Sequence, residues 1–173
     1  GSRGIGKIVS DGTYSLLATE YQGKAFNAPN DLVVTSNGSV YFTDPSYKSG
    51  VDGRETPLGQ EGVYRITPDG AVEEIASGLR RPNGITTSID EAWLYVAYKD
   101  ESKVFRYPLD ASGNAGPGEE YISGSPTDGV TIDCAGNLYL AVPGKQLRVY
   151  DTQGTKIWDV SGRGSHTNAA FGG

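Results

Sequence analysis

Cysteine is nearly missing from this sequence, and methionine is wholly missing. The single thiol, Cys134, leaves no room for an internal disulfide, a thiolate zinc cluster or a CxxC redox pair. Such usage fits a reducing compartment, so a soluble cytoplasmic protein is favoured over a periplasmic or secreted one. Histidine is almost as scarce, with His166 alone. The stretch around it, SGRGSHTN, lacks the GxSxG elbow that seats a nucleophilic serine, and a Ser-His-Asp hydrolase is not expected. Long hydrophobic runs are lacking as well. LYLAV at 138–142 is about as long as they become, far short of the roughly 20 residues that cross a bilayer. Basic charge is short too: 15 Lys and Arg against 21 Asp and Glu give a net charge of −6, with the basic residues scattered. That balance argues against nucleic acid and anionic membrane as partners. The glycines of GIG at 4–6 have neither the spacing nor the helix of a phosphate loop. With no initial Met, the opening GSRG (1–4) reads as the remnant of a removed tag.

What the sequence does have is turn and strand material. Twenty-five glycines and eleven tyrosines accompany short β-branched runs in 173 residues, and no long apolar stripe of helical period is present. An all-β fold in one domain is predicted. The strands recur in units. Asn30-Asp31-Leu32, Asn83-Gly84-Ile85 and Asp128-Gly129-Val130 each lead into a turn and then an aromatic-bearing strand, VYFTD, WLYVAY and LYLAV. The distances from Asn30 to Tyr41, Asn83 to Tyr95 and Asp128 to Tyr139 are 11, 12 and 11 residues. A fourth opening, HTNAAFGG, carries Asn168. Between openings lies a second hairpin with a polar turn, as in VYRITPDGAVEEIA and LRVYDTQGTKIWDV. Four strands per 40–50 residues is the period of a β-propeller blade. A sandwich also accommodates short strands, but it gives no reason for an Asn or Asp at the same place in every unit. The predicted division is 5–26 as the outer hairpin of one blade, 27–79, 80–124 and 125–164 as blades, and 165–173 as the start of the next. The Gly- and Pro-rich stretch 44–62 is expected to form a flap over one face.

In a propeller the innermost strands run along a central channel, so equivalent positions in successive blades converge. Asn30, Asn83 and Asp128 would then bring two amide oxygens and one carboxylate around one point. Oxygen donors suit a hard cation, Ca²⁺ ahead of Mg²⁺ because it accepts looser geometry. Each of these dipeptides alone reads as a turn; three in register read as a site. Asn27 is a candidate for substrate hydroxyls and equally for capping a loop. Asp31 is expected to orient the loop backbone and Asp44 to end its strand. His166 is expected to be structural, and Cys134 to be a small inert filler near a strand end.

The stretches NAPNDLVVTSNGSVYFTDPSY, RPNGITTSIDEAWLYVAY, TDGVTIDCAGNLYLAVPG and HTNAAFGG resemble the gluconolactonase/regucalcin family (senescence marker protein, lactonase-like) from about Ile5 onward. The resemblance implies a six-bladed propeller, of which about three complete blades and parts of two more lie in this chain. It implies hydrolysis of sugar lactones and related esters around one divalent metal, Ca²⁺ first, with Zn²⁺, Mn²⁺ or Mg²⁺ as alternatives. The family's metal-binding PND, PNG and DG motifs fall on Asn30, Asn83 and Asp128. Its fourth ligand, a Glu on the first blade, has no counterpart here, Glu20 being wrongly placed. Asp128 is the expected general base or nucleophile. A homodimer that closes the ring is one expectation. A non-catalytic Ca²⁺-binding or scaffold propeller lacking the fourth ligand is the alternative reading.

Overall fold

A computed structural model of the chain describes residues 3–46, 56–144, 147–161 and 165–171. Among these the fold is all-β, with no helix. The N-terminal segment forms two ribbons, β1 (Ile5–Ile8) with β2 (Tyr14–Ala18) and β3 (Glu20–Tyr21) with β4 (Lys24–Ala25). Three four-stranded antiparallel sheets follow, each a simple meander. The first holds β5 (Leu32–Val34), β6 (Val40–Asp44), β7 (Gly62–Ile66) and β8 (Val72–Ser77). The second holds β9 (Pro82–Thr87), β10 (Trp93–Tyr98), β11 (Lys103–Pro108) and β12 (Glu119–Ser123). The third holds β13 (Val130–Ile132), β14 (Leu138–Ala141), β15 (Leu147–Tyr150) and β16 (Lys156–Val160).

The turns follow from their side chains. Asp133 Oδ1 accepts the N–H groups of Ala135 and Asn137, both at 2.9 Å, and Asp151 Oδ1 accepts those of Gln153 and Thr155, again at 2.9 Å. A short carboxylate thus replaces water on the donors that a tight hairpin leaves unpaired. Cys134 lies inside one of these turns and is exposed. The expectation of a packed filler is corrected: the Asp133 bonds hold its turn at the surface, away from any core.

Three apolar clusters lie between consecutive layers. Phe26, Phe42 and Tyr64 join the N-terminal ribbons to the first sheet. Tyr41, Val63, Ile85, Leu94 and Val96 fill the space between the first and second sheets. Tyr95, Ala97, Val104, Val130, Leu138 and Leu140 do the same between the second and third. Each sheet is therefore covered on both faces where it has neighbours, which explains why every residue of β6 and β7 is buried although strands of a half-solvated sheet would alternate. Polar clasps add register. Arg65, buried on β7, donates to Ser39 Oγ in its own sheet, and to Asn114 Oδ1 at 3.0 Å and the Ser112 carbonyl in the second. Beside it, Tyr41 Oη donates to the Gly113 carbonyl.

Candidate active site

The three candidate ligands sit where the first strand of each sheet begins. The Asn30 N–H donates to the Thr43 carbonyl at 2.9 Å, and the Thr43 N–H to the Asp31 carbonyl at 3.0 Å. The third sheet repeats the arrangement, with Asp128 N–H on the Ala141 carbonyl at 2.8 Å and Ala141 N–H on the Gly129 carbonyl at 3.0 Å. In the second sheet a bulge between Val96 and Tyr98 shifts the partner strand, and Lys99 N–H donates to the Arg81 carbonyl at 3.0 Å.

Bonds between sheets then set these openings side by side. Thr43 Oγ1 donates to the Asn83 carbonyl at 2.7 Å, and Asp31 Oδ2 accepts the Ile85 N–H at 3.2 Å. The Gly84 N–H donates to the Asp128 carbonyl, and the Gly129 N–H to the Thr167 carbonyl, both at 2.8 Å. The glycines of the Asn-Gly and Asp-Gly openings have a steric reason here. A Cβ on Gly84 would lie 2.5 Å from the Asp128 carbonyl oxygen, and one on Gly129 would lie 2.3 Å from Asn168 Oδ1. The next opening occupies the space that a side chain would need.

Side chains at this row differ in their commitments. Asn83 is only 3% exposed, yet among the described residues its side-chain amide makes no hydrogen bond; only its backbone carbonyl is engaged with Thr43. Asn30 is exposed. Asp128 is paired with Lys99, whose Nζ lies 3.0 Å from Oδ2. Asp31 is committed to backbone, accepting Leu32 N–H at 3.0 Å besides Ile85; burial raises its carboxyl, against the pull of those two bonds. Asn27 has both ends of its amide engaged with backbone. It is 1% exposed, with Nδ2 donating to the Gln60 carbonyl at 2.7 Å and Oδ1 accepting the Leu58 N–H at 3.2 Å. Of its two expected roles, the observed contacts are those of a loop cap. Asn168 lies beside Gly129, with Oδ1 accepting the Ala169 N–H, and His166 Nε2 is buried without a partner. Glu20 is exposed in β3. Residues 47–55 of the expected flap lie outside the described residues.

Three residues organise this region: Thr43 and Lys99, which sequence reasoning missed, and Asp44, which it expected only to end its strand. Thr43 ties two openings together. Asp44 accepts the N–H groups of Asn27 at 2.8 Å and Ala28 at 2.7 Å, fixing the segment that leads into Asn30. Lys99 neutralises Asp128. Its only sequence signal is a cation directly after the apolar run WLYVAY.

The donor chemistry suits a hard divalent cation: two amides and a carboxylate, all oxygen donors. Charge is the weaker half of the match. Among the described residues no group of three or more His, Cys, Asp or Glu side chains converges, and the one carboxylate already has an ammonium partner.

An all-β chain of stacked four-stranded meanders, with a row of oxygen-bearing strand openings, defines the class. The chain belongs to the SMP-30/Gluconolactonase/LRE-like family, whose model matches residues 2–173. It is 35% identical over 175 residues to a gluconolactonase from Zymomonas mobilis, covering 91% of this chain and 49% of that protein. A pentonolactonase from Haloferax volcanii is 31% identical over 153 residues, covering 83% of this chain and 49% of that one. Among solved structures, a gluconolactonase from Xanthomonas campestris superposes with a TM-score of 0.88 at 30% identity, over 99% of this chain and 59% of its own. The calcium-binding protein regucalcin from Agrobacterium tumefaciens has a TM-score of 0.79 at 24% identity, over 96% and 57%; that likeness concerns the fold. The chain spans about half the length of the curated relatives it matches.

Proposed function

We propose that this chain forms part of a six-bladed β-propeller that hydrolyses sugar lactones, with Asn30, Asn83 and Asp128 as ligands of a divalent cation, Ca²⁺ first. The three four-stranded sheets are read as three blades and the N-terminal ribbons as the outer part of another. Further chain or a second copy would complete the ring. The observation that carries the reading is the row of openings: three oxygen-bearing residues brought side by side by bonds between successive sheets. Membership of a family with lactonases among its members gives the chemical class.

In this reaction water adds to the ring carbonyl carbon, the C–O bond of the ring breaks with its oxygen leaving as a hydroxyl, and the hydroxy acid formed ionises to a hydroxy carboxylate and a proton. A divalent ion, when bound, supplies positive charge to the carbonyl oxygen as negative charge develops there. The chain's own residues handle the proton. Asp128 Oδ2 faces Lys99 and is the oxygen given to the cation when one is bound; among the described residues no hydrogen bond reaches Oδ1, which leaves that oxygen to accept a proton from the attacking water. Attack by the same carboxylate to form a transient acyl-enzyme is the other course open to it. Asn83 offers its amide oxygen from an opening whose backbone carbonyl is held by Thr43, and Asp31 bonds the same opening at Ile85. Asp128→Ala is expected to lower lactone turnover by about 100-fold or more while the circular dichroism spectrum stays that of the parent. Unchanged turnover in a folded variant would remove Asp128 from the chemistry.

A further inference from the structure

The single carboxylate of the ligand set already has a cation. Lys99 Nζ stands 3.0 Å from Asp128 Oδ2, with the two side chains 28% and 18% exposed. At that burial the pair is screened less than an ion pair on open surface. Lys99 is held in place by its backbone. Its N–H donates to the Arg81 carbonyl at 3.0 Å, and its carbonyl accepts the Ser102 N–H at 3.2 Å. Lys99 directly follows the last residue of β10, and its ammonium reaches the opening of the third sheet at Asp128. The adjacent carboxylate, Asp100, faces Arg81 at 3.3 Å. Lys99 is therefore the cation of Asp128, and the pairing lies within the candidate ligand set itself.

We propose that Lys99 is a built-in counter-cation of the metal site, holding Asp128 while no divalent ion is bound and yielding that oxygen when one binds. The inference rests on the metal reading given above. One carboxylate cannot hold an ammonium and a divalent ion at the same oxygen without strong repulsion between the two cations. Binding of the ion therefore exchanges an internal ion pair for a metal–carboxylate contact. The long stem of Lys99 lets its ammonium move toward solvent while its backbone stays fixed. Two consequences follow: the site binds its ion more weakly than the same ligands would without Lys99, and it returns to a neutral, paired state when the ion leaves.

The test measures binding of Ca²⁺ alone to the intact protein by titration calorimetry, without substrate. Lys99→Met, which keeps the length of the side chain and removes its charge, is expected to bind Ca²⁺ roughly tenfold tighter or more. Lys99→Arg, which keeps the charge, should stay near the parent. A second readout needs no variant of Lys99. With lysines carrying ¹³C-dimethyl labels, the Lys99 resonance should move on Ca²⁺ saturation, and this movement should vanish in Asp128→Asn. Equal or weaker binding by Lys99→Met, or an unmoved Lys99 resonance in a protein that binds Ca²⁺, would overturn the role of Lys99 alone. If parent and variants all fail to bind, the inference falls together with the metal reading, and calorimetry separates the two failures.

Discussion

Asp44 illustrates how a side chain remote from the chemistry sets the site. It ends β6 fully buried, and its two oxygens take the backbone N–H groups of Asn27 and Ala28. Burial raises its carboxyl from 3.8 to about 6, although the two backbone bonds and the charge of Arg3 pull the other way. The consequence for stability has a definite sign. Below the unfolded value both states are protonated and the group contributes nothing. Between 3.8 and about 6 the folded state binds more proton than the unfolded one, so stability falls as pH rises. Above that window the full cost of the buried charge is present, on the order of 3 kcal/mol at most. Asp44→Asn removes this dependence. The unfolding free energy of the variant relative to the parent should therefore rise from about pH 4 to about pH 6 and then level off. A difference that stays flat over that range would show that the Asp44 carboxyl is not raised.

The strand openings carry the strongest constraint on sequence. Gly84 faces the backbone of the next opening, where a Cβ would lie 2.5 Å from both the Asp128 carbonyl oxygen and the Val130 nitrogen. Backbone atoms cannot rotate away as a side chain can. Gly84→Ala is expected to destabilise the protein by about 1–3 kcal/mol, measured by urea unfolding, and to loosen the spacing between Asn83 and Asp128. An unchanged midpoint would mean that the two sheets separate without cost. Much of this was legible in the sequence. The strand–turn period, the hairpin turns and the positions of Asn30, Asn83 and Asp128 at equivalent strand starts could all be read from residue type and spacing. Contacts between sheets could not. Whether Asn27 reaches a ligand or caps a loop depends on Leu58 and Gln60, some thirty positions away. The Lys99–Asp128 pair joins two sheets across 29 positions of sequence. Neither leaves a periodic trace. The aromatic strands were visible, but the complete burial of VYFTD follows only from a neighbour on each face of its sheet.

Stacked sheets make each layer depend on the next. The inner faces share apolar clusters, while Leu32 and Val34 on β5 are 44% and 58% exposed and Leu17 of the first ribbon lies across a cavity from them. A cavity of about 470 Å³ lies between that ribbon and β5, lined by Ile5, Leu17, Leu32, Val34, Val40 and Ile66. In the proposed propeller these surfaces are where ring neighbours pack, and closure of the ring supplies the acid that balances a divalent ion beside Asp128. On the proposed reading, catalysis belongs to the closed ring as well as to the three openings. The most direct test is proton release from glucono-δ-lactone at fixed pH by the intact protein, first with Ca²⁺ or Mn²⁺ added and then after removal of the ion by EDTA. Turnover above the spontaneous rate that disappears with EDTA and returns with the metal is the predicted result. A rate equal to spontaneous hydrolysis under every condition would contradict the assignment of the three openings to a lactone-hydrolysing metal site.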